Sequence, residues 1–401
     1  MGCGFSKSAD AQIPPGASTD DNKENLKERM ARLSQAGGAL KQLDSLVPEL
    51  KGEFARRGMA NEAANNTAPP PPSKLKVALD WTPNSNHAGM YVALHEGLYA
   101  AEGLDVQILP PSAEYTMDET PARSVVNGRA DLCVCPSESM ISCLTSDKSA
   151  ESLPMCVATL LQQDSSAIAC KASLGITSPA QLSGRTYASY EGRFEMNIVN
   201  EIVKLAGGDG PVVETTPSKL QIFDKLLAGD ADAEATWIFD AWEGIMAKRS
   251  GVALQSFPLK SSGVPYGYSP CLLASRALCL ADGGENLRKF LAATEKGYQI
   301  SVADPARAAD ALLASNHPSL VPLGRDFLVE SLTFLGEGQF FLDSGSASGQ
   351  WGRMDAQRWQ AFVSWLLERR LVARRNGEVV TALELDAEKL YTNAFFSNTP
   401  K

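Results

Sequence analysis

From position 74 onward, short apolar segments alternate with helical ones. That alternation restricts the chain to mostly parallel sheets flanked by helices. Segments 77–80, 106–109, 130–135 and 155–161 read as strands, with helices at 86–100, 118–127 and 137–145 between them. A second run gives strands at 186–190, 212–214 and 231–237, with helices at 194–205, 220–228 and 238–248. Segment 271–274 then reads as a strand returning to the first unit, and 285–370 is mostly helical. Two α/β lobes with the chain crossing between them twice describe a two-lobed venus-flytrap fold, which closes over a ligand in its cleft. The crossings are expected near 167–171 and 263–269. Lobe I is then 74–168 with 270–401, and lobe II is 169–269.

The first strand runs into its helix through Leu79-Asp80-Trp81-Thr82-Pro83-Asn84-Ser85-Asn86-His87-Ala88-Gly89. Strand-to-helix corners are where open α/β folds bind small molecules. An indole beside a carboxylate suits a planar, hydrogen-bonding heterocycle, neutral or cationic. Trp81 is a stacking platform or a core residue under the helix. Asp80 accepts from a ring amino group or caps the helix. Asn84 and His87 hydrogen-bond either a ligand or their own turn.

Three further places present candidate binding residues. Tyr190 ends a strand, and Glu191-Gly192-Arg193-Phe194 leads into the next helix. Free backbone N–H groups with Arg193 make an anion site there, or else a solvated turn. Trp237, with Asp240 just beyond it, ends another strand, where Trp237 can face Trp81 across the cleft as an aromatic clamp. Tyr266 and Tyr268 flank Gly267 at the second crossing. Trp242, Trp351, Trp359 and Trp365 read as packing residues.

The net charge of −10 argues against nucleic acid, which needs a basic footprint. Eight scattered cysteines without a framework spacing read as reduced thiols of an intracellular protein. Cys133 and Cys135 share one face of a strand and read as core. No apolar run reaches the ~18 residues a membrane span needs.

Residues 1–73 form an N-terminal extension. Met1-Gly2-Cys3-Gly4-Phe5-Ser6 fits N-myristoylation at Gly2, with Cys3 a palmitoylation candidate. One acyl chain holds a membrane only marginally, so the second matters. This predicts a tether to the cytoplasmic face of a membrane, and otherwise a cytoplasmic protein. Segment 20–57 carries an amphipathic stripe that packs on the main domain, pairs with a second copy as a homodimer, or lies on a membrane. Segment 61–73 is a Pro-rich linker.

From position 74 to the C-terminus the chain resembles the superfamily of thiamine-pyrimidine synthases and related bacterial substrate-binding proteins for pyrimidine precursors. The resemblance rests on the corner at 79–87, followed by Glu96-Gly97-Leu98-Tyr99 and Gly103-Leu104-Asp105-Val106. It also rests on Gly128-Arg129-Ala130-Asp131-Leu132, Leu182-Ser183-Gly184-Arg185-Thr186-Tyr187 and Tyr391-Thr392-Asn393. It implies a periplasmic-binding-protein-like (type II) fold and a thiamine-related pyrimidine ligand, free or phosphorylated. It also implies one of two activities. Bacterial members bind and deliver the pyrimidine. Fungal-type synthases build it from their own histidine and a pyridoxal phosphate held on a lysine, with iron.

The synthase lysine and histidine fall at Cys135 and Ser139 in one register, and at Glu138 and Ser142 in another. Neither register supplies a Schiff-base lysine or a donor histidine. Glu138 is retained as a ligand-binding candidate. Binding without catalysis is therefore expected, with no metal and no cofactor. Pyridoxal phosphate and iron belong only to the alternative, a divergent synthase. A third reading is a membrane-tethered interaction protein on the same fold.

Overall fold

The computed structural model describes residues 71–111, 120–145, 153–343, 350–374, 376–382 and 384–396. Gly2, Cys3, the amphipathic segment and nearly all of the linker lie outside them.

Among the described residues, ten strands form two five-stranded sheets. The first contains β1 (Ser73–Ala78), β2 (Leu104–Leu109), β3 (Leu132–Cys135), β4 (Met155–Thr159) and β10 (Cys271–Ala274). The second contains β5 (Ser166–Lys171), β6 (Thr186–Ala188), β7 (Val213–Thr215), β8 (Ala235–Phe239) and β9 (Leu254–Pro258). Their orders are β2-β1-β3-β10-β4 and β7-β6-β8-β5-β9. Within each sheet the strands of one run pair in parallel. The returning strand β10 is antiparallel to β3 and β4, and β5 is antiparallel to β8 and β9.

Segment 167–171, read from sequence as the first crossing, is instead strand β5 of the second sheet. The chain crosses just before it, through the Gln162-Gln163-Asp164-Ser165 stretch. The apolar run β5 continues the apolar run β4, and only the short polar interval between them marks the change of sheet. Strand β9 was not expected; its residues are all half-buried, so it carries no strong apolar signal.

Buried strands β3 and β5 are near-continuously apolar, as strands covered on both faces must be. Cys133 and Cys135 join one core cluster with Cys156 and Cys271. Trp351, Trp359 and Trp365 are buried packing residues.

Two glycines set the first corner. Helix Ala88–His95 packs against helix Glu285–Ala303 at Gly89 and Gly297. A Cβ at Gly89 would overlap the Tyr298 ring, and one at Gly297 would overlap the Gly89 carbonyl. At that approach Tyr298 donates its hydroxyl to the Asn86 carbonyl at 2.6 Å, fixing the turn that precedes the helix.

Candidate functional site

A cavity of about 260 Å³ opens between the sheets, at the strand-to-helix corners of both. Its walls include six aromatic rings: Trp81, Tyr190, Trp237, Phe239, Trp242 and Tyr266. They also include four carboxylates, Asp80, Glu138, Glu195 and Glu243, and one lysine, Lys219.

In the first corner, Asn84 caps its turn. Its Oδ1 accepts the Asn86 N–H at 2.9 Å, and its Nδ2 donates to the Thr82 carbonyl at 3.1 Å. The His87 Nδ1 accepts the Asn84 N–H at 3.3 Å, which leaves Nε2 as the protonated nitrogen. Nε2 then donates to Asp80 Oδ1 at 2.9 Å. His87 is fully buried behind Asp80, with both ring nitrogens engaged. It therefore positions Asp80 rather than touching a ligand, a correction to its expected role. Asp80 remains partly exposed at the cavity wall.

Trp81 and Trp237, read from sequence as the two sides of an aromatic clamp, both line the cavity, and Trp81 meets Tyr190 edge to face at 5.9 Å between centroids. Trp237 pairs with Tyr266 at 5.4 Å. The cavity is thus walled by two aromatic pairs, with Trp81 contributed by the first lobe and Trp237 by the second.

The second corner departs furthest from the sequence reading. Helix Glu195–Leu205 opens with Glu195, whose carboxylate turns back over its own N-terminus. It accepts the Tyr190 N–H at 3.1 Å, the Gly192 N–H at 2.9 Å, the Tyr187 hydroxyl at 2.8 Å and the Ser189 hydroxyl at 3.3 Å. The donors of an anion site are present, and Glu195 fills them. Burial still raises the Glu195 pKa above the usual carboxylate range.

Arg193 points away from the cleft. It donates to Thr145 Oγ1 at 2.7 Å and to the Ala373 carbonyl at 2.6 Å, and it lies over the Phe194 ring. Phe194 is buried in the core, and Glu191 pairs with Lys219 at 3.6 Å beside the cavity. Neither Arg193, Phe194 nor Glu191 lines the cavity; Gly192 and Tyr190 do. Glu191, in the turn that carries Arg193, adopts a left-handed backbone (φ 59).

Asp240 faces a separate groove with Lys248 and Ser256, not the cavity. The residues after β8 form a π-helical turn, Asp240–Gly244, which brings Glu243 to the cavity in its place. Glu243 accepts the Phe239 N–H at 2.9 Å, and burial pushes it up to about 7. Tyr268 is also outside the cavity. Its hydroxyl accepts the Asp355 N–H at 2.7 Å, and the Arg358 guanidinium stacks on its ring. Tyr266 and Ser269 line the cavity from the second crossing.

Glu138 opens helix Ser137–Leu144 and is buried in the wall. The Tyr266 hydroxyl is its hydrogen-bond partner, and burial with Glu195 across the cleft pushes it up to about 7. Sequence reasoning missed Glu195 and Glu243 as cavity residues. The one available signal was an acid at or near a helix start in each corner.

The family model described as NMT1/THI5 like matches residues 84–308. The chain is 30% identical over 296 residues to a formylaminopyrimidine-binding protein of Halalkalibacterium halodurans, covering 73% of this chain and 84% of that protein. It is 24% identical over 244 residues to a 4-amino-5-hydroxymethyl-2-methylpyrimidine phosphate synthase of Saccharomyces cerevisiae, covering 59% of this chain and 69% of the synthase. In structure it is similar to the alkanesulfonate-binding protein SsuA of Xanthomonas axonopodis pv. citri bound to MOPS. That match has a TM-score of 0.57 at 14% identity, over 78% of this chain and 98% of the other. At that identity the likeness is one of fold, the two-lobed binding-protein architecture.

Proposed function

Because the chain belongs to the NMT1/THI5-like family, we propose that it binds a small thiamine-related aminopyrimidine in precursor biosynthesis or salvage, without catalysis. The observation that carries this is the pairing of six aromatic rings with four carboxylates around one small cavity. Flat rings stack on a planar heterocycle, and acceptors meet its amino group. Because Glu195 occupies the N-terminus of helix Glu195–Leu205, where sequence pointed to an anion site, the unphosphorylated ring is favoured. Calorimetric titration with aminopyrimidines, their phosphates, thiamine and pyridoxal phosphate tests the reading. Saturable binding of an unphosphorylated aminopyrimidine is the expected result, and silence across the panel overturns it.

The residues present fit poorly with the synthase cofactors. His87 is committed to Asp80, and no group of three or more His, Cys, Asp or Glu among the described residues is arranged for a metal. One feature favours the divergent synthase as a second reading: Lys219 reaches the cavity wall. Borohydride trapping of pyridoxal phosphate on Lys219 would support it, and protein unmodified after reduction would remove it.

The tether is a separate part of the proposal, carried by the Gly2-Cys3 pattern alone. Gly2→Ala should release the protein from membranes to the cytoplasm; an unchanged distribution rules out the lipid anchor.

A further inference from the structure

We infer that Glu138 sets which ring the cavity accepts, by sharing a proton with the amino-substituted edge of the heterocycle. This rests on the aminopyrimidine reading and specifies the edge of the ring that is recognised.

The four cavity carboxylates differ in how much of their acceptor capacity the protein already uses. Glu195 takes four donors. Glu243 takes the Phe239 N–H and its own backbone N–H. Asp80 takes the His87 ring and remains in reach of solvent. Glu138 takes the Tyr266 hydroxyl, and no ion pair to it occurs among the described residues. An ionised carboxylate offers roughly four acceptor sites, so a buried one with a single neutral donor is under-satisfied.

Its neighbours make that deficit sharper. Tyr266 faces it from the second crossing, Asp164 from the first and Glu195 from the opposite lobe. Asp80 and Glu243 line the same cavity, and Lys219 there is paired with Glu191. Surrounded by acids and a phenol, Glu138 gains from a proton, or from a partner that brings one. A 4-aminopyrimidine has the matching edge: an amino N–H beside a ring nitrogen that can take a proton. The two oxygens of Glu138 meet these as two parallel hydrogen bonds.

The proton balance follows from burial holding Glu138 near neutrality in the ligand-free protein, at about 7. Below that, the carboxyl already carries the proton, and a neutral ring shares it with no net exchange. Above it, the carboxylate and the neutral ring together take one proton from solvent on binding. Affinity therefore falls towards roughly tenfold per pH unit on the alkaline side.

The test is calorimetry at about pH 8 in two buffers of different ionisation enthalpy, where linked proton uptake is read directly. The probes are 4-amino-5-hydroxymethyl-2-methylpyrimidine and the same ring lacking the amino group. The wild type should take up close to one proton and prefer the aminated ring about tenfold or more, the effect of a charge-assisted pair. Glu138→Gln should abolish both the uptake and the preference, while keeping weak binding through the aromatic walls. Glu138→Asp, which keeps the acid, should retain the uptake at lower affinity. Uptake and preference unchanged in Glu138→Gln overturn the inference but leave the pyrimidine reading standing. So does a wild type that binds with no proton uptake, even if the variant does not fold. A wild type silent to both rings overturns the two together.

Discussion

The two strand-to-helix corners of the cavity occupy equivalent places in their lobes and treat their acids in opposite ways. In the first, His87 is buried behind Asp80 and holds its carboxylate at the cavity wall. In the second, Glu195 folds back onto its helix N-terminus and absorbs the donors there. One corner displays an acid, and the other uses one to seal itself. The first corner thus presents an acceptor to the cavity, while in the second the helix N-terminus is occupied by its own glutamate. A fold shared with an alkanesulfonate-binding protein thus carries no implication about the charge of the ligand.

The comparison breaks most sharply at Glu195. Glu195→Ala leaves the partly buried N–H groups of Tyr190 and Gly192 and the buried Tyr187 hydroxyl without their acceptor. Stability should fall by about 2–4 kcal/mol, the scale of losing several bonds to a buried carboxylate. Urea denaturation measures this. A loss under about 1 kcal/mol would mean that the carboxylate does not hold the corner together.

Acid displayed in a cavity without a ligand also has a pH signature. Glu138 and Glu243 have folded values near 7 against an ordinary 4.5, so the folded state binds more protons than the unfolded state between those limits. Stability is therefore lost as pH rises through that window, by up to about 3 kcal/mol for each of the two acids. The urea midpoint of the ligand-free protein should fall between about pH 5 and pH 8, and less so in Glu138→Gln. A midpoint that rises across this range contradicts the burial of these acids.

The aromatic walls give a third, smaller effect. Trp81→Ala removes a half-exposed ring that meets Tyr190 edge to face. Aminopyrimidine affinity should drop by about 1–3 kcal/mol, as for base–aromatic stacking, with little change in thermal midpoint. An unchanged affinity in titration would move the ligand away from the first corner.

How much of this was legible in the sequence follows the same division. The alternating strands and helices and the first corner could be read directly, because period and corner position are local properties of the chain. Asp80, Trp81, Tyr190, Trp237 and Tyr266 all reach the cavity from places the pattern indicated. Residues that depend on one turn's geometry were not legible. Glu191 adopts a positive φ, and Arg193 in the same turn binds Thr145 and the Ala373 carbonyl outside the cavity. The π-helical turn at Asp240–Gly244 breaks the 3.6-residue period that would put Asp240 and Glu243 on one helix face, and Glu243 alone reaches the cavity. The reach of Glu195 back to Tyr190 and Gly192 is visible only in three dimensions.

The smallest expected effect is the one that isolates the second corner from the ligand. Arg193 binds Thr145 and the Ala373 carbonyl outside the cavity, and it lies over Phe194. Its guanidinium ties the second lobe's corner to the first lobe's helix end and to the C-terminal segment. Arg193→Ala should lower stability by about 1 kcal/mol through these lost bonds and change aminopyrimidine affinity less than about twofold. If titration instead showed a loss of tenfold or more, larger for a phosphorylated ring than for the free one, Arg193 would be reaching the ligand. The second corner would then be an open anion site, and the contrast between the two corners would not hold.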